Sequence, residues 1–544
     1  MESYRDRNAP GIAVTPSPQS ATNRRYKLLD WPAVRGISLS LSPVTVHLLA
    51  ITTVLVIALA IRLVHLNAVG YNSDEAVYAG QGAAIAEIPV LTDIFPVFRA
   101  HPLLFQFLVG VFFKLFGAHD WLGRAISLGI GLITILVIYL LGNRLYGRRA
   151  GFYAALFMSL MPYHVIVTRQ VLLDGSMTLC ATLTLFMMVR FAETERAVWL
   201  YAAGAGMGLT FLAKETGILM VGAIYAFLAL SPEIKIRIRD IVFSVILMVV
   251  VMSPFPLSIR LSGAASNKTA GNYIVWQLFR RPNHTLDFYP TVVPTAIGLL
   301  LILVAVGGLW YLRRRTDWRE KLLMTWIIVP LVFFQLWPTK GFQYLLPIAP
   351  PLILLAARAL VEIPRNPIQF GKWTIPRYVP GSIVAFIIAV SLFIPSWEQV
   401  QPTQSDTFLA GSGGVPGGRE LGKWIQENVP ENALFMTIGP SMANIIKWYG
   451  HSDALGLSVS PNPLHRNPSY EPVINPDFQL RIGDIQYVVW DSFSADRSIF
   501  FSDKLLWYVG RYHGRVVHTQ TVEVTTPDGE TIEKPVIIVY EVHP

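Results

Sequence analysis

The chain has 544 residues, of which 53% are apolar and only 15% are charged, and its mean hydropathy is positive. These proportions lie outside the usual range of soluble domains and indicate an integral membrane protein. The net charge of +9 comes from basic residues divided among loops, without a basic stripe interleaved with aromatic residues, which argues against nucleic-acid binding. Cys180 is the only cysteine, so an internal disulfide and a thiolate metal cluster are both excluded.

Long apolar segments recur along the chain, and each is long enough to cross ~30 Å of hydrocarbon as a helix. We count about eleven such segments, and the clearest cover residues 46–66, 122–145, 241–257 and 292–312. The first lies behind about 45 mostly polar residues, so we expect it to be retained as an anchor and not cleaved as a signal peptide. The predicted fold class is a polytopic α-helical membrane protein with about 11 transmembrane helices plus interfacial loop helices.

The orientation in the membrane follows from the loops, because short loops rich in Lys and Arg stay on the cytoplasmic side. Every second loop is basic if segment 101–117, about 16 residues long and interrupted by Lys114, is an interfacial or re-entrant helix and not a span. The N-terminus is then cytoplasmic, and residues 67–121, residues 259–291 and the part after about residue 397 are extracytoplasmic. We therefore predict a multi-pass protein of the plasma (inner) membrane.

The sequence pattern changes near residue 417 to short apolar runs separated by turns, which predicts a small extracytoplasmic α/β domain. We expect helices over residues 420–428 and 441–449 and strands over residues 433–438, 485–490, 515–519 and 536–542. The predicted domains are a cytoplasmic tail 1–45, a membrane domain 46–396, a Gly/Pro-rich linker 397–418 and the α/β domain 419–544. The loop 461–476, with five prolines, is either a rigid surface loop, which we favour, or a lid over the membrane domain.

Six charged or ionisable residues interrupt the apolar segments and fall on the predicted outer face: Asp74, Glu75, His101, Arg169, Asp174 and Lys214. Each has a purely structural interpretation. Ser73 could cap a helix whose first turn holds the acidic pair, and Asp174 could cap the next one. The cations could extend to the membrane interface, or Lys214 could pair with Glu215.

Their shared location favours one functional site, because ionisable side chains at membrane depth are rare and usually mark a substrate path. A partly desolvated carboxylate beside the membrane can accept a proton from a hydroxyl group. Cations near it can hold a lipid-linked phosphate and stabilise its negative charge as it leaves.

The order and spacing of several motifs add a resemblance to a known family. The motifs are Asp74-Glu75-Ala76-x-Tyr78, His101-Pro102-Leu103-Leu104, Arg124, Tyr146-Gly147-x-x-Ala150-Gly151, Pro162, Arg169-x-x-x-x-Asp174, Lys214 and Lys340-Gly341-Phe342-Gln343-Tyr344-Leu345-Leu346-Pro347. Residues 46–396 thereby resemble the membrane glycosyltransferases of the GT-C superfamily, in particular the protein O-mannosyltransferase and aminoarabinose (lipid A) transferase group.

The resemblance implies an inverting transfer of a mannosyl-, other hexosyl- or aminoarabinosyl-type sugar from a polyprenyl (dolichyl) phosphate donor. The acceptor would be a protein, a glycolipid or a polysaccharide at the outer face of the membrane. Asp74 would be the catalytic carboxylate, deprotonating the acceptor or holding it near a divalent metal, with Glu75 as its neighbour. The expected contacts to the donor phosphate and substrate are His101, Arg169, Asp174, Lys214, Lys340 and Tyr344.

The chain also departs from the family pattern. Aminoarabinose transferases that resemble it have Glu-Lys-Pro where Ala100-His101-Pro102 stands here, so the second acidic metal ligand is missing and a metal site would rest on Asp74. Gln343 stands where an arginine is usual, which leaves Lys340 as the nearest cation.

Two other classes of protein compete with the transferase interpretation. A transporter or flippase of a lipid-linked or anionic substrate also has many spans and buried charges. Against it, the candidate charges cluster at one face and not at the midplane, and the sequence shows no paired Gly/Pro-broken segments in two similar halves. A membrane-anchored binding protein would carry its activity in the outer domain alone.

Overall fold

The computed structural model describes residues 26–27, 40–95, 97, 101–261, 282–363, 367–370, 373–401, 415–462, 465–466, 470–525 and 531–544. The chain divides into two compact units, residues 1–53 and residues 54–544. The described part of the first unit holds the antiparallel strands β1 (Tyr26–Lys27) and β2 (Ser40–Leu41) and the start of the helix Pro43–Leu63. Most of the predicted tail 1–45, outer loop 259–291 and linker 397–418 lies outside the described residues. The predicted domain boundaries therefore stay predictions.

Seven helices among the described residues are long and apolar enough to cross a membrane, so the protein is a polytopic helical membrane protein. They are Val44–Leu63, Asp120–Tyr146, Leu173–Thr194, Ile238–Leu261, Phe288–Tyr311, Phe342–Glu362 and Val379–Val400. Other apolar helices are shorter, broken or more highly charged: Arg148–Leu160 and Pro162–Val167, Ala197–Ala213, Leu219–Leu230 and Trp318–Leu336. The expected count of about eleven spans includes these segments and stays a prediction.

The segment expected to lie at the interface forms the helix Leu104–Phe116. Its 13 residues rise only about 20 Å, which is less than the thickness of the hydrocarbon layer. One side, with Phe105, Val109 and Phe113, is buried, whereas Phe107 and Leu115 are exposed. This one-sided helix packs on the helix Ser73–Ile85, which we call the first-loop helix. Its length agrees with the interfacial interpretation, and the orientation derived from that interpretation stays a prediction.

A glycine permits the tight connection in the Tyr146-Gly147 motif. The helix Asp120–Tyr146 ends and the helix Arg148–Leu160 begins around Gly147, whose φ of 90° is costly for residues with a side chain. The two helices then pack so closely that a Cβ atom on Gly142 would lie 2.8 Å from the Cα atom of Gly151. This part of the family motif is thus explained by backbone geometry.

The C-terminal part of the described chain contains a mixed five-stranded sheet. Its strands are β5 (Leu434–Thr437), β6 (Asp453–Gly456), β7 (Ile485–Asp491), β8 (Arg515–Thr525) and β9 (Thr531–Glu541), in the order β6-β5-β7-β9-β8. The first three are parallel, and β9 is antiparallel to β7 and β8. The separate hairpin β3 (Ile368–Phe370) and β4 (Trp373–Ile375) precedes this region.

The helices of this region are Gly418–Asn428, Pro440–Ile445, Pro476–Arg481, Ser492–Arg497 and Ile499–Arg511. Leu505, Tyr508 and Val509 of the last helix bury their side chains against Ile485 and Val488 of the sheet. The two predicted helices and four predicted strands are present, but strand β6 and the three helices after it had no predicted counterpart.

Asp120 fastens this C-terminal region to the membrane part of the chain. Its carboxylate accepts hydrogen bonds from Trp448 Nε1 at 3.0 Å, from Arg419 Nη2 at 2.8 Å and from the Tyr449 hydroxyl. Burial raises the pKa of the Tyr449 phenol and Asp120 raises it further, so this hydroxyl stays a donor at neutral pH. The hydroxyl in turn accepts from the backbone N–H of Tyr71, just before the first-loop helix.

We therefore expect Asp120→Ala to loosen the C-terminal region, because three donors lose their shared acceptor. The expected result is faster proteolytic release of a fragment beginning near residue 402 from folded, membrane-inserted protein. Asp93→Ala, which removes an exposed acid elsewhere on the same loop, is the matched control. An unchanged cleavage rate would contradict the role given to Asp120.

Candidate active site

The first-loop helix carries the acidic pair in its first turn, as the sequence indicates, but its cap is one residue earlier than expected. Asn72, and not Ser73, is the N-cap residue, and its side-chain oxygen accepts from the backbone N–H of Glu75 at 3.0 Å. In the reciprocal hydrogen bond, the Glu75 carboxylate accepts from the backbone N–H of Asn72 at 3.1 Å. This capping box fixes the start of the helix and therefore the position of Asp74.

Glu75 is buried and its two oxygens are occupied. It receives two hydrogen bonds from Arg124, at 2.9 and 2.8 Å, and one from the backbone N–H of Val171 at 3.1 Å. Arg124 also donates to the carbonyl oxygens of Leu66, Val69 and Gly70. Such a bidentate, charge-assisted pair holds the loop before the helix in one geometry. The oxygens of Glu75 are thus engaged within the protein, and its expected catalytic role beside Asp74 stays a prediction.

A second group of ionisable side chains surrounds Asp74. Lys214 Nζ donates to Asp174 Oδ1 at 2.7 Å, and both side chains are buried. His101 Nδ1 lies 2.8 Å from Glu215 Oε2, which gives the histidine a carboxylate partner. The ammonium of Lys214 also lies 4.8 Å from the centre of the Tyr344 ring. His101, Asp174 and Lys214 all interact electrostatically with Asp74, and Tyr344 contacts Lys214, so four of the expected site residues belong to this group.

Asp74 differs from the other two acids of this group. Asp174 is paired with Lys214 and Glu215 with His101, whereas no described side chain donates a hydrogen bond to the Asp74 carboxylate. The side chain is half-buried, so one face remains accessible. Burial raises the pKa of Asp74 above its ordinary value, while Lys214 and His101 oppose that rise and Glu75 adds to it. A carboxylate in this setting is a stronger base than one in water.

Arg169 is held away from this group. Its guanidinium donates to the carbonyl oxygens of Ile61 and Arg62, at 3.1 Å each, at the end of the first long helix. It lines a small cavity with Arg124 and Gln170, on the side of the Glu75 network. The expected contact between Arg169 and the donor phosphate therefore has no support from this geometry and stays a prediction.

Lys340 is a buried cation in the loop before the short helical segment Phe342–Ile348. Its ammonium donates to the carbonyl oxygen of Trp337 at 3.2 Å, and no acid among the described residues lies within ion-pair distance. The hydroxyl of the preceding residue, Thr339, is also buried and lacks a hydrogen-bond partner in the described part of the chain. Both groups have spare donors for an anion.

Glu215 is the principal site residue that the sequence analysis did not assign. It was considered only as a partner for Lys214, next to it in sequence. The backbone of Lys214 is extended, with φ −162° and ψ 134°, so adjacent side chains diverge and the two residues reach different partners. An acid in an otherwise apolar segment was the signal that could have identified it.

The residues present do not offer a complete set of ligands for a divalent metal. Among the described residues, no three His, Cys, Asp or Glu side chains group closely enough to hold a metal ion. Among the acids around Asp74, Glu75 is engaged by Arg124, Asp174 by Lys214 and Glu215 by His101. A metal bound through Asp74 would need the remaining ligands from the substrate or from water.

The raised pKa of Asp74 predicts a pH dependence. A base must be deprotonated, so activity should rise with pH, and the acidic limb of kcat/KM should lie above the usual range of an aspartate. The measurement is a pH–rate profile on protein shown to stay folded throughout. An acidic limb at the pKa of an ordinary solvent-exposed aspartate would contradict the burial-based account.

Comparison with known proteins supports the resemblance inferred from the motifs. Residues 100–259 match the family model of dolichyl-phosphate-mannose-protein mannosyltransferases. The Bacillus subtilis (strain 168) protein named "Putative mannosyltransferase YycA" is 24% identical over 168 residues. That match covers 30% of this chain and 24% of the relative, so the chain spans about a quarter of that protein.

Three solved structures are similar over most of the chain. ArnT from Cupriavidus metallidurans in the apo state has a TM-score of 0.65 at 15% identity, covering 91% of this chain and 98% of ArnT. ArnT bound to undecaprenyl phosphate has a TM-score of 0.64 at 16% identity, covering 91% of this chain and 97% of ArnT. The Archaeoglobus fulgidus oligosaccharyltransferase tethered with an acceptor peptide has a TM-score of 0.59 at 13% identity. The similarity covers 90% of this chain and 74% of the oligosaccharyltransferase. The chain therefore has the fold of these membrane glycosyltransferase structures, which confirms the resemblance predicted from the motifs.

Proposed function

We propose that this protein transfers a sugar from a polyprenyl-phosphate monosaccharide to an acceptor at the extracytoplasmic face of the membrane. The observation that carries the proposal is that the Asp74 carboxylate is half-buried and accepts no hydrogen bond from a described side chain. The neighbouring acids Asp174 and Glu215 are paired with Lys214 and His101. The bound undecaprenyl phosphate of the similar ArnT structure supports a lipid-phosphate donor. The orientation predicted from the basic loops supports a site on the extracytoplasmic side.

The proposed reaction is an inverting displacement at the anomeric carbon. Asp74 removes the proton from the acceptor group while the acceptor atom bonds to that carbon from the face opposite the phosphate. The bond between the anomeric carbon and the phosphate oxygen breaks, and its electron pair goes to the polyprenyl phosphate. Glu75 with Arg124 orients Asp74, and Asp174 holds Lys214 by a buried ion pair.

The departing phosphate needs cations, and Lys340 is the better candidate. Lys214 is already neutralised by Asp174 at 2.7 Å, whereas Lys340 has no acidic partner among the described residues. A buried cation without a counter-ion is costly and is usually retained for a ligand. We therefore assign the phosphate contact to Lys340 and the adjacent Thr339 hydroxyl, with His101 as a further contact.

Lys340→Met should weaken use of the donor without unfolding the protein. The loss of one charge-assisted contact costs ~1.5–3 kcal/mol, which corresponds to roughly a tenfold or larger fall in kcat/KM for the donor. Lys214→Met is the comparison variant, because it breaks a buried ion pair and should lower the thermal stability as well. Equal donor kinetics for Lys340→Met and the wild type would remove Lys340 from the phosphate site.

A deletion strain tests the proposed activity in cells. Loss of the transferase should cause its polyprenyl-phosphate monosaccharide to accumulate in the lipid extract and the modified acceptor to disappear. Expression of the wild-type protein in this strain should reverse both effects, whereas expression of Asp74→Asn should reverse neither. Loss of glycosylated Ser or Thr on exported proteins would identify a protein acceptor, and altered glycolipid with unmodified proteins would identify a lipid or polysaccharide acceptor. Unchanged donor levels and unchanged glycans would contradict the proposal.

A further inference from the structure

A second polar cavity lies at the opposite end of the membrane part from Asp74. The helix Asp120–Tyr146 begins beside the C-terminal region and, with 27 residues, ends about 40 Å away. The cavity, of about 310 Å³, is near that far end and is lined by residues from four helix ends, including Arg149, Arg315, Glu362, Arg377 and Tyr378. Ligand pockets commonly enclose ~300–1,000 Å³, so a small ligand group fits.

The cavity has a strong excess of positive charge. Arg149, Arg315 and Arg377 form no ion pair with an acid among the described residues. Glu362 is the single acid in the lining, and Arg358 engages it at 3.2 Å. Arg358 also pairs with Glu320 at 3.2 Å, so one arginine is shared between two acids, and the lining, with three arginines and one glutamate, keeps a net positive charge. Three arginines thus line one cavity, and none of them forms an ion pair in the described part of the chain.

Aromatic side chains place the cavity at the level of lipid headgroups. Trp310, Tyr311 and Tyr378 are exposed at this end of their helices, and exposed Trp and Tyr mark the membrane–water interface. The guanidinium of Arg149 lies 4.5 Å from the centre of the Tyr378 ring, which holds it at the cavity mouth. Leu360 and Val361 supply an apolar wall, so the cavity is polar on one side and apolar on the other.

We propose that this cavity binds the phosphate headgroup of an anionic membrane lipid. Guanidinium groups recognise phosphate bidentately, and basic pockets between membrane helices bind anionic headgroups. A topology signal alone requires basic loops but does not require three arginines from three separate loops to converge on one cavity. The inference is independent of the transferase activity, because the cavity lies far from Asp74.

The test is lipid binding to the purified full chain, measured by native mass spectrometry with phosphatidylglycerol and with phosphatidylcholine of the same acyl chains. The wild type should bind phosphatidylglycerol at least tenfold more tightly. Replacing Arg149, Arg315 and Arg377 together by Gln should remove that preference. Replacing the same three by Lys keeps the charge that directs membrane insertion but loses the bidentate geometry, and should reduce the preference several-fold.

The matched control is Arg313→Gln with Arg314→Gln, which removes two exposed arginines of the same loop that do not line the cavity. This variant should bind lipid as the wild type does. Equal binding of both lipids by the wild type, or an unchanged preference in the Lys variant and the Gln variant, would overturn the proposal. Arginine-dependent binding of inorganic phosphate that displaces the lipid would overturn the assignment to a lipid. If the Gln variant fails to insert into the membrane, the proposal is still tested by the lipid preference of the wild type and by the reduction of that preference in the Lys variant.

Discussion

Replacing Asp74 by Asn should reduce sugar transfer by ~10²–10⁴-fold while the protein stays folded. The amide has nearly the same shape as the carboxylate but cannot accept the proton of the acceptor. Because the pKa of Asp74 is raised in the folded protein, its ionised form costs folding free energy, and this cost grows as the pH rises through that pKa. The neutral amide removes the cost, so thermal stability at neutral pH should be unchanged or higher.

The control for this variant is Asp93→Asn, which alters an exposed acid of the same loop and should change neither property. Loss of stability together with activity in Asp74→Asn would indicate a structural role. Retention of wild-type turnover would show that the site is assigned to the wrong residue.

Replacing Arg124 by Ala should give the largest loss of stability, ~3–5 kcal/mol, because it breaks a buried ion pair. Glu75 would be left buried without its counter-ion, and the carbonyl oxygens of Leu66, Val69 and Gly70 would lose their donor. Thermal unfolding in detergent measures the effect as a lowered melting temperature. Arg124→Lys should recover only part of it, since an ammonium cannot reproduce the five bonds of the guanidinium.

A double variant separates the ion pair from general damage to the loop. Glu75→Gln with Arg124→Ala should be less destabilised than the sum of the single changes, because the uncompensated charge is gone. Strict additivity of the two changes would mean that the pair does not hold the first-loop helix.

The sequence predicted which ionisable residues lie close together better than it predicted their hydrogen-bond partners. Asp74, His101, Asp174 and Lys214 were selected as charges on one predicted face, and all four are close together. The Arg169-x-x-x-x-Asp174 spacing suggested one more member, but the turn between these two residues directs Arg169 to the carbonyl oxygens at the end of the first long helix. Sequence spacing does not report such a reversal of side-chain direction.

For the fold, long apolar helices give strong sequence signals and short elements give weak ones. Helices with long apolar runs were predicted with nearly correct limits, because burial in lipid requires continuous apolar sequence. Strand β6, Asp453–Gly456, was missed because it has four residues and its apolar pattern is too short to recognise. The helix Ile499–Arg511 was missed although its buried and exposed residues alternate with helical period.

The most direct test of the account is transfer from defined donors by the purified protein in lipid. Labelled polyprenyl-phosphate monosaccharides with different sugars would be supplied together with native membrane extract as the acceptor. The account predicts release of polyprenyl phosphate from one donor by the wild type and only background release by Asp74→Asn. No release from any donor by folded wild-type protein, accompanied by movement of a lipid-linked substrate across the bilayer, would contradict it and favour a transporter.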